Sequence, residues 1–357
     1  MEGVIGSGTT RGTEMAWHIA HAPSHRHTSP WLVAVTALIA ATALTIAALV
    51  GTGALYAGSV ATTFDSHVTR IQHAFPPATT RPAPAPTSAE NILLLGSDSR
   101  GAPTKVGQTG VTNQRSDTMM LVHIDADRKN VYVISIMRDL WVPIPGNGTA
   151  KINAALAWGG TPLTIQTVEQ LLGVRIDHVA IIDFGGLKEI TDALGGVDVD
   201  SPVAFTTVKS PHYTFVKGMN HLDGDQALAY SRERYAFPTA DYQRVADQQA
   251  LLRGFATTLM SRSVLANPAA LISFASTAGS YVSVDQQFDL PTMLALAASM
   301  RLSGSSSIHS FTLPTDGTGT SSDGQSIVNV DPAGTAAVGA ALANDTVGQL
   351  PYAQNGG

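Results

Sequence analysis

Unbroken apolar runs of strand length, separated by short polar punctuation, set the pattern of this chain from residue 89 onward. Asn91–Gly96, Met119–Ile124 and Asn130–Ile136 are three such runs; the first stops at Gly-Ser-Asp-Ser-Arg and the third at Arg138-Asp139, while QRSDT precedes the second. Strands that are apolar throughout, rather than at alternate positions, are buried on both faces, as in a sheet covered by helices. HVAIIDF reads as a further buried strand, VDVDSPVAF as strand-like and Ile308–Leu313 as a returning strand.

Between these runs the apolar period changes to that of a helix. Thr161-Pro162 supplies an N-cap and an N1 proline, Leu163, Val168, Leu171 and Leu172 form the stripe, and Gly173 is a C′ stop. GGLKEITDALGG places Leu187, Ile190 and Leu194 on one face. A short helix is expected after the Asp223-Gly224 turn, and a long one from Asp241 to about Arg262 with Val245, Leu252, Phe255 and Leu259 inward. Ala-rich helical segments follow near Ala269–Ala278 and Leu290–Met300, and WVPIPGNGTAKINAALAWGG reads as a loop leading into a short helix. Strands interleaved with helices, without an internal repeat, predict the α/β class: a single α-β-α layered domain with a mixed sheet.

Upstream the pattern is different. Residues 1–30 are Gly-, Thr- and His-rich and without periodicity, which predicts a disordered leader; His18, His21, His25 and His27 have no acidic partner nearby to suggest a metal site. The 26 uncharged residues from Trp31 to Tyr56 are long enough for one transmembrane helix, with an aromatic residue at each edge. An apolar stretch of that length exceeds a signal-peptide core, so an uncleaved anchor is expected. Arg11 and Arg26 precede it and the next basic residue is Arg70, which places the N-terminus in the cytoplasm and the bulk of the chain outside, as a single-pass membrane protein. The Pro/Ala/Thr tract within 57–88 reads as a spacer, the folded domain as 89–343, and 344–357 as a polar tail.

Composition narrows the chemistry. With no cysteine, a disulfide framework, a Cys-ligated zinc and a thiol nucleophile are excluded. A net charge of −6 without a long basic run gives no nucleic-acid footprint. Four of the 21 basic residues and three of the 27 acidic ones precede Ala89, leaving 17 against 24 in the folded part. In this acidic domain Arg115, Arg138, Arg232, Arg234 and Arg244 all stand beside element ends. Arg232 and Arg234 are two apart, which an extended backbone would aim to one side, and Asp241, Arg244 and Gln248 share one face of the long helix at its N-terminal end, where an anion is favoured. Carboxylates at Asp98 and Asp117 beside such guanidiniums suit a divalent cation and a phosphate ester bound side by side. The plain alternatives are surface ion pairs for the arginines and turn roles for the aspartates.

LLLGSDSR, RSDTMMLVHID, VYVISIMRDLWVPIPG, KINAALAWGG, VAIIDFGGLKEITDALGGVDV, LDGDQALAYSRERY and DYQRVADQQ occur in that order between Ala89 and Leu259. In these motifs the chain resembles the LytR-CpsA-Psr family of bacterial cell-envelope proteins. The resemblance implies an α-β-α domain with a hydrophobic pocket for a polyprenyl chain, and a phosphotransferase activity. That activity moves a polyprenyl-pyrophosphate-linked glycopolymer, arabinogalactan-like or teichoic-type, onto peptidoglycan through a phosphodiester to a muramic acid hydroxyl. It implies Mg²⁺ (or Mn²⁺) on Asp98 and Asp117, and catalysis by Asp98 and Arg138. Pyrophosphate binding falls to Arg115, Arg138, Arg232, Arg234, Arg244 and Gln248, and Asp241 matches the acidic start of the last motif. A polyprenyl-pyrophosphate hydrolase using the same site with water, and a non-enzymatic envelope-binding protein, are the alternatives. The Ala/Thr/Pro-rich, Lys-poor composition and Pro/Ala stalk suggest an actinobacterial source. One departure stands out: where the family often has a second Arg before the Gln, this chain has Asp247. An inward-facing carboxylate there would weaken phosphate binding, whereas a solvent-facing one would leave Arg244 as the helix's only guanidinium clamp.

Overall fold

The three apolar runs lie side by side at the centre of a seven-stranded sheet, in a computed structural model that describes residues 62–97, 116–238, 241–259 and 268–354. All of these belong to one unit, Leu55–Gly357. The strands are β1 (Thr69–Ile71), β2 (Glu90–Ser97), β3 (Ser116–Ile124), β4 (Val131–Ser135), β5 (Trp141–Ile144), β6 (Gly148–Lys151), β7 (His178–Asp183), β8 (Val197–Ser201), β9 (Phe205–Thr206), β10 (Thr214–Phe215), β11 (Gly218–Leu222), β12 (Val282–Asp285), β13 (Ile308–Thr312), β14 (Thr315–Thr320) and β15 (Ser326–Val330). The helices are α1 (Ala154–Leu172), α2 (Phe184–Ala193), α3 (Gly224–Arg232), α4 (Asp241–Leu259), α5 (Pro268–Tyr281), α6 (Leu290–Ser299), α7 (Pro332–Ala343) and the short α8 (Pro351–Gln354).

The main sheet runs β1-β12-β7-β2-β3-β4-β13. β1 is parallel to β12, β2 to β7 and β4 to β13, and the other neighbours are antiparallel, so the sheet is mixed. Both faces are covered, which is why the strands are apolar throughout. On one face Leu93, Leu95, Leu121 and Ile134 pack with Ile165, Val168 and Leu172 of α1 and Val338 and Leu342 of α7. On the other, Ile92, Ala180 and Val284 pack with Ile190 of α2 and Ala275 and Ala278 of α5. A satellite core joins β8 and β11 to α3 and α4 through Val197, Val199, Leu222, Tyr230 and Leu251.

Local signals place the helix ends as expected. α1 breaks at Gly159 and Gly160, where φ of Gly160 is +64°, resumes at Thr161-Pro162, and ends at Gly173 in the left-handed conformation with its N–H on the Glu169 carbonyl. α3 begins with a capping box in which Asp223 and Gln226 each take the other's backbone N–H. At Gly254 an added Cβ would stand 2.5 Å from the Asp198 carbonyl oxygen, so a glycine lets α4 lie directly against β8.

The structure differs from expectation in three places. The segment after Trp141, expected to be a loop, is the β5–β6 hairpin; Val142 and Ile144 are buried in it, and the turn takes glycines at positive φ at Gly146 and Gly148. The folded unit extends past 89–343 at both ends. Within the expected spacer, β1 joins the sheet and Arg81 makes a buried ion pair with Glu169, 2.7 Å apart, while also donating to the Ile176 carbonyl. Within the expected tail, Val347 and Ala353 are buried and Tyr352 packs on Phe311, ring centroids 5.2 Å apart. The anchor expected at Trp31–Tyr56 lies outside the described residues, among which no helix is long and apolar enough to cross a membrane.

Candidate active site

One edge of the sheet collects the ends from which the candidate residues emerge. β2 ends at Ser97 opposite Ser116, the start of β3, and Ser97 also pairs with Asp183 at the end of β7. β4 ends on the same edge, at Ser135 opposite Met120, alongside Thr312 of β13. The backbone therefore brings the chain on either side of the 98–115 segment, Asp117 and the approach to Arg138 to a single edge, as expected of a site at strand ends. Asp98 and Arg115 lie outside the described residues, as does the side chain of Asp117.

The second constellation meets this edge through Asp241. The chain leaves β4, turns with Leu140 N–H on the Met137 carbonyl, and presents Arg138 and Asp139. Asp241, the first residue of α4, lies between three guanidiniums: Oδ2 is 3.4 Å from Arg138 Nε and 3.2 Å from Arg244 Nη2, and Oδ1 is 3.8 Å from Arg234 Nη1. Asp139 holds Lys151 of β6, with Nζ at 3.0 Å, and also flanks Arg138 at 3.5 Å. Among the described residues, four cationic side chains thus gather around two carboxylates, an arrangement suited to an anion. The N-terminus of α4 adds its own attraction for negative charge. Lys151 and Asp139 were not among the expected site residues; Lys151 belongs only because the β5–β6 hairpin folds it back beside Asp139.

Arg232 and Arg234 do not share one extended run: Arg232 is the last residue of α3, and Glu233 turns the backbone to an extended conformation before Arg234. Arg234 reaches Asp241, while Arg232 is exposed and is not one of its three guanidiniums. Glu233 builds this turn. Its Oε1 accepts the backbone N–H groups of Arg234, Tyr235 and Ala236, and its Oε2 accepts that of Val208 at 2.8 Å. Burial alone would raise its pKa, but the four donors bring it below the usual range. A Glu between two arginines reads in sequence as their ion-pair partner, which conceals this role.

Arg244 and Gln248 lie on the inner face of α4, both buried, with Gln248 Nε2 donating to the Ser231 carbonyl at 3.1 Å. Asp247 is fully buried too, so it does not face solvent. It lies beside Tyr230 and accepts from Gln243 Nε2 at 3.0 Å. Burial raises its pKa to about 7, so the reversed charge is partly muted by protonation around neutral pH.

Beside Gln248 and Ser231 opens a cavity of about 280 Å³ between the sheet and helices α2, α4 and α5. Leu94, Met120, Leu187, Leu251, Phe255 and Phe274 are among its lining side chains. Gly96 and Thr118, which bracket the strand ends described above, line it as well. Gln248, in its wall, stands one turn along α4 from Arg244, which sets this apolar chamber beside the cationic edge.

Comparison with known proteins places the chain in a family. A model of the LytR_cpsA_psr family matches residues 56–343. A polyisoprenyl-teichoic acid–peptidoglycan teichoic acid transferase TagU of Enterococcus faecalis is 37% identical over 179 residues, 50% of this chain and 56% of the relative. A TagU of Bacillus anthracis is 38% identical over 165 residues, 46% of this chain and 50% of the relative. The chain thus spans about half the length of these curated relatives. The crystal structure of B. subtilis TagV superposes with a TM-score of 0.61 at 27% identity, covering 72% of this chain and 97% of that one. A structure described as TagT bound to LIIa-WTA gives 0.55 at 26% identity, covering 72% and 91%. The chain belongs to the LytR_cpsA_psr family.

Proposed function

We propose that this protein transfers a polyprenyl-pyrophosphate-linked glycopolymer onto peptidoglycan. The observation that carries the reading is the junction at Gln248 and Ser231, where a chamber lined by apolar side chains meets guanidiniums gathered on Asp241. A lipid pyrophosphate has these two parts, an apolar chain and an adjoining multiply charged group. Binding both at once excludes water from one side of the phosphates and strengthens the arginine forks on the other.

In the proposed reaction a peptidoglycan hydroxyl attacks the phosphorus that carries the glycan. A new phosphodiester forms, the pyrophosphate P–O bond breaks, and polyprenyl phosphate leaves with the electron pair. Arg138, Arg234 and Arg244 offset charge on the phosphates, and Asp98 accepts the hydroxyl proton. The oxygen-only donor set of Asp98 and Asp117 would suit Mg²⁺ or Mn²⁺. When bound, such a cation supplies charge neutralisation at the phosphate oxygens. The domain works outside the cell, held to the membrane by the Trp31–Tyr56 segment. The relatives' names favour a teichoic-type donor for this chain.

The test is transfer by the purified protein from lipid-linked donors, teichoic-type and arabinogalactan-type in parallel, with and without peptidoglycan. Acceptor-dependent phosphodiester formation is expected. Release of polyprenyl phosphate that is indifferent to the acceptor would replace transfer with hydrolysis, and no turnover of either donor would sink the proposal.

A further inference from the structure

At the opposite edge of the sheet, three side chains outside the candidate active site converge. His123 near the end of β3, Asp125 just after it and Asp345 after α7 each bring one ligand atom within 4.8 Å of the others. His123 is fully buried, while the two carboxylates are 14% and 17% exposed. His123 Nε2 is 3.2 Å from Asp345 Oδ1 and 3.7 Å from Asp125 Oδ1.

The hydrogen bonds behind these atoms fix how they are presented. Asn91 Nδ2 donates to the Arg175 carbonyl at 2.9 Å, so Asn91 Oδ1, 2.8 Å from His123 Nδ1, must be an acceptor. Nδ1 therefore carries the proton, and a neutral imidazole points the bare lone pair of Nε2 at the two carboxylates. Each carboxylate is likewise held by its other oxygen: Asp345 Oδ2 accepts the Ala126 N–H at 3.1 Å and Asp125 Oδ2 accepts from Asn130 Nδ2 at 3.0 Å. Three acceptors thus face one another, each oriented from behind by a donor or acceptor outside the set. Burial lowers the pKa of His123, against the pull of Asp345, and raises that of Asp125 to about 6.

We infer that His123, Asp125 and Asp345 form a binding site for a divalent transition-metal cation of the Zn²⁺ class, joining the β3–β4 turn to the end of α7. Ligand atoms about 2.1 Å from a tetrahedral zinc stand about 3.4 Å apart, and His123 Nε2 lies 3.2 and 3.7 Å from the two carboxylate oxygens. One His with two carboxylates, the His anchored by its other nitrogen, is a common presentation for such an ion. The partly open carboxylate side leaves room for a water as fourth ligand. The site lies at the far end of β3 from the cationic edge and is independent of the transfer reaction.

The test uses the full chain, stripped with a chelator, and its Asp345→Asn, Asp125→Asn and Asn91→Ala variants, each checked for folding by circular dichroism. Each is titrated with Zn²⁺, with Co²⁺ as a visible-absorption probe, and with Mg²⁺ as control. The wild type should bind one equivalent of Zn²⁺ more than Asp345→Asn, develop a tetrahedral Co²⁺ band that the variant lacks, and gain thermal stability on Zn²⁺ addition. Asn91→Ala should bind about 10–100-fold more weakly. Asp125→Asn carries the same comparison if Asp345→Asn does not fold. Equal stoichiometry and equal stabilisation in wild type and variants would assign all bound metal to the leader histidines or the active site and overturn the inference. A His123 that responds to pH but not to Zn²⁺ would equally overturn it, leaving a proton between these groups.

Discussion

Asp241 Oδ2 lies 3.4 Å from Arg138 Nε, so the first residue of α4 reaches the segment that leaves β4. Two stretches about a hundred residues apart in sequence become one anion site through this pair. Arg138→Ala should lower transfer about 10²–10³-fold with the unfolding midpoint unchanged. Asp241→Asn leaves Arg138, Arg234 and Arg244 without their shared carboxylate and should weaken donor binding about tenfold. Because the groups act as a unit, the double variant should lose little more than Arg138→Ala alone, which steady-state kinetics on all three proteins would show. Fully additive losses would mean that the two residues work separately.

Asp247 should make stability depend on pH. Burial holds its pKa near 7, so between about pH 4 and pH 7 the folded state keeps a proton that the unfolded chain has released. Stability contributed by that proton is present at low pH, falls as pH rises through this window and levels off above it. Asp247→Asn keeps an acceptor for Gln243 without the charge. It should be more stable than wild type at pH 8, by on the order of 2 kcal/mol, and nearly equal at pH 4.5 in urea titrations. A constant difference at both values would show that the carboxyl stays ionised.

The apolar chamber can be tested by filling it. Ala278 lines it from α5, opposite Leu251 and Phe255 of α4. Ala278→Phe should reduce affinity for a long-chain polyprenyl donor about tenfold while sparing a short-chain analogue with the same pyrophosphate. Equal losses for both would place the lipid elsewhere.

The Arg81–Glu169 pair should matter to folding rather than to transfer. Its side chains are only 6% and 1% exposed. Glu169→Ala strands a buried guanidinium and should cost about 3–5 kcal/mol, whereas Arg81→Met with Glu169→Leu should cost much less, since the charges leave together. Chemical denaturation of the three proteins measures this; a double variant as unstable as the single one would mean that packing, not charge, dominates.

The core was readable from the sequence because strands covered on both faces leave an unbroken apolar signature, as at Ile92–Leu95, and because helix ends have local chemistry, as at Asp223 and Gly173. The pieces added at the margins were not. β1 is three residues long and Arg81 sits among prolines, so neither carries a periodic signal, and both are ordered by partners about 90 or more residues away. The site arginines announced themselves by standing at element ends, yet direction was another matter. A helix ends between Arg232 and Arg234, and Glu233 is a turn-former whose four backbone partners cannot be read from spacing. Asp247 looked like a surface acid or an intruding charge, and is instead a core residue whose proton the interior retains.

The junction at Gln248 and Ser231 also divides the labour of specificity. The chain leaving β4 and the first turn of α4 present the charged groups, whereas much of the chamber wall is side chains on α2, α5 and the later turns of α4. Substitution along those helices can therefore lengthen, shorten or widen the chamber without shifting the phosphate end. The fold acts as a fixed socket with an adjustable ruler, and members of such a lineage are free to change the lipid they measure while keeping the bond they make.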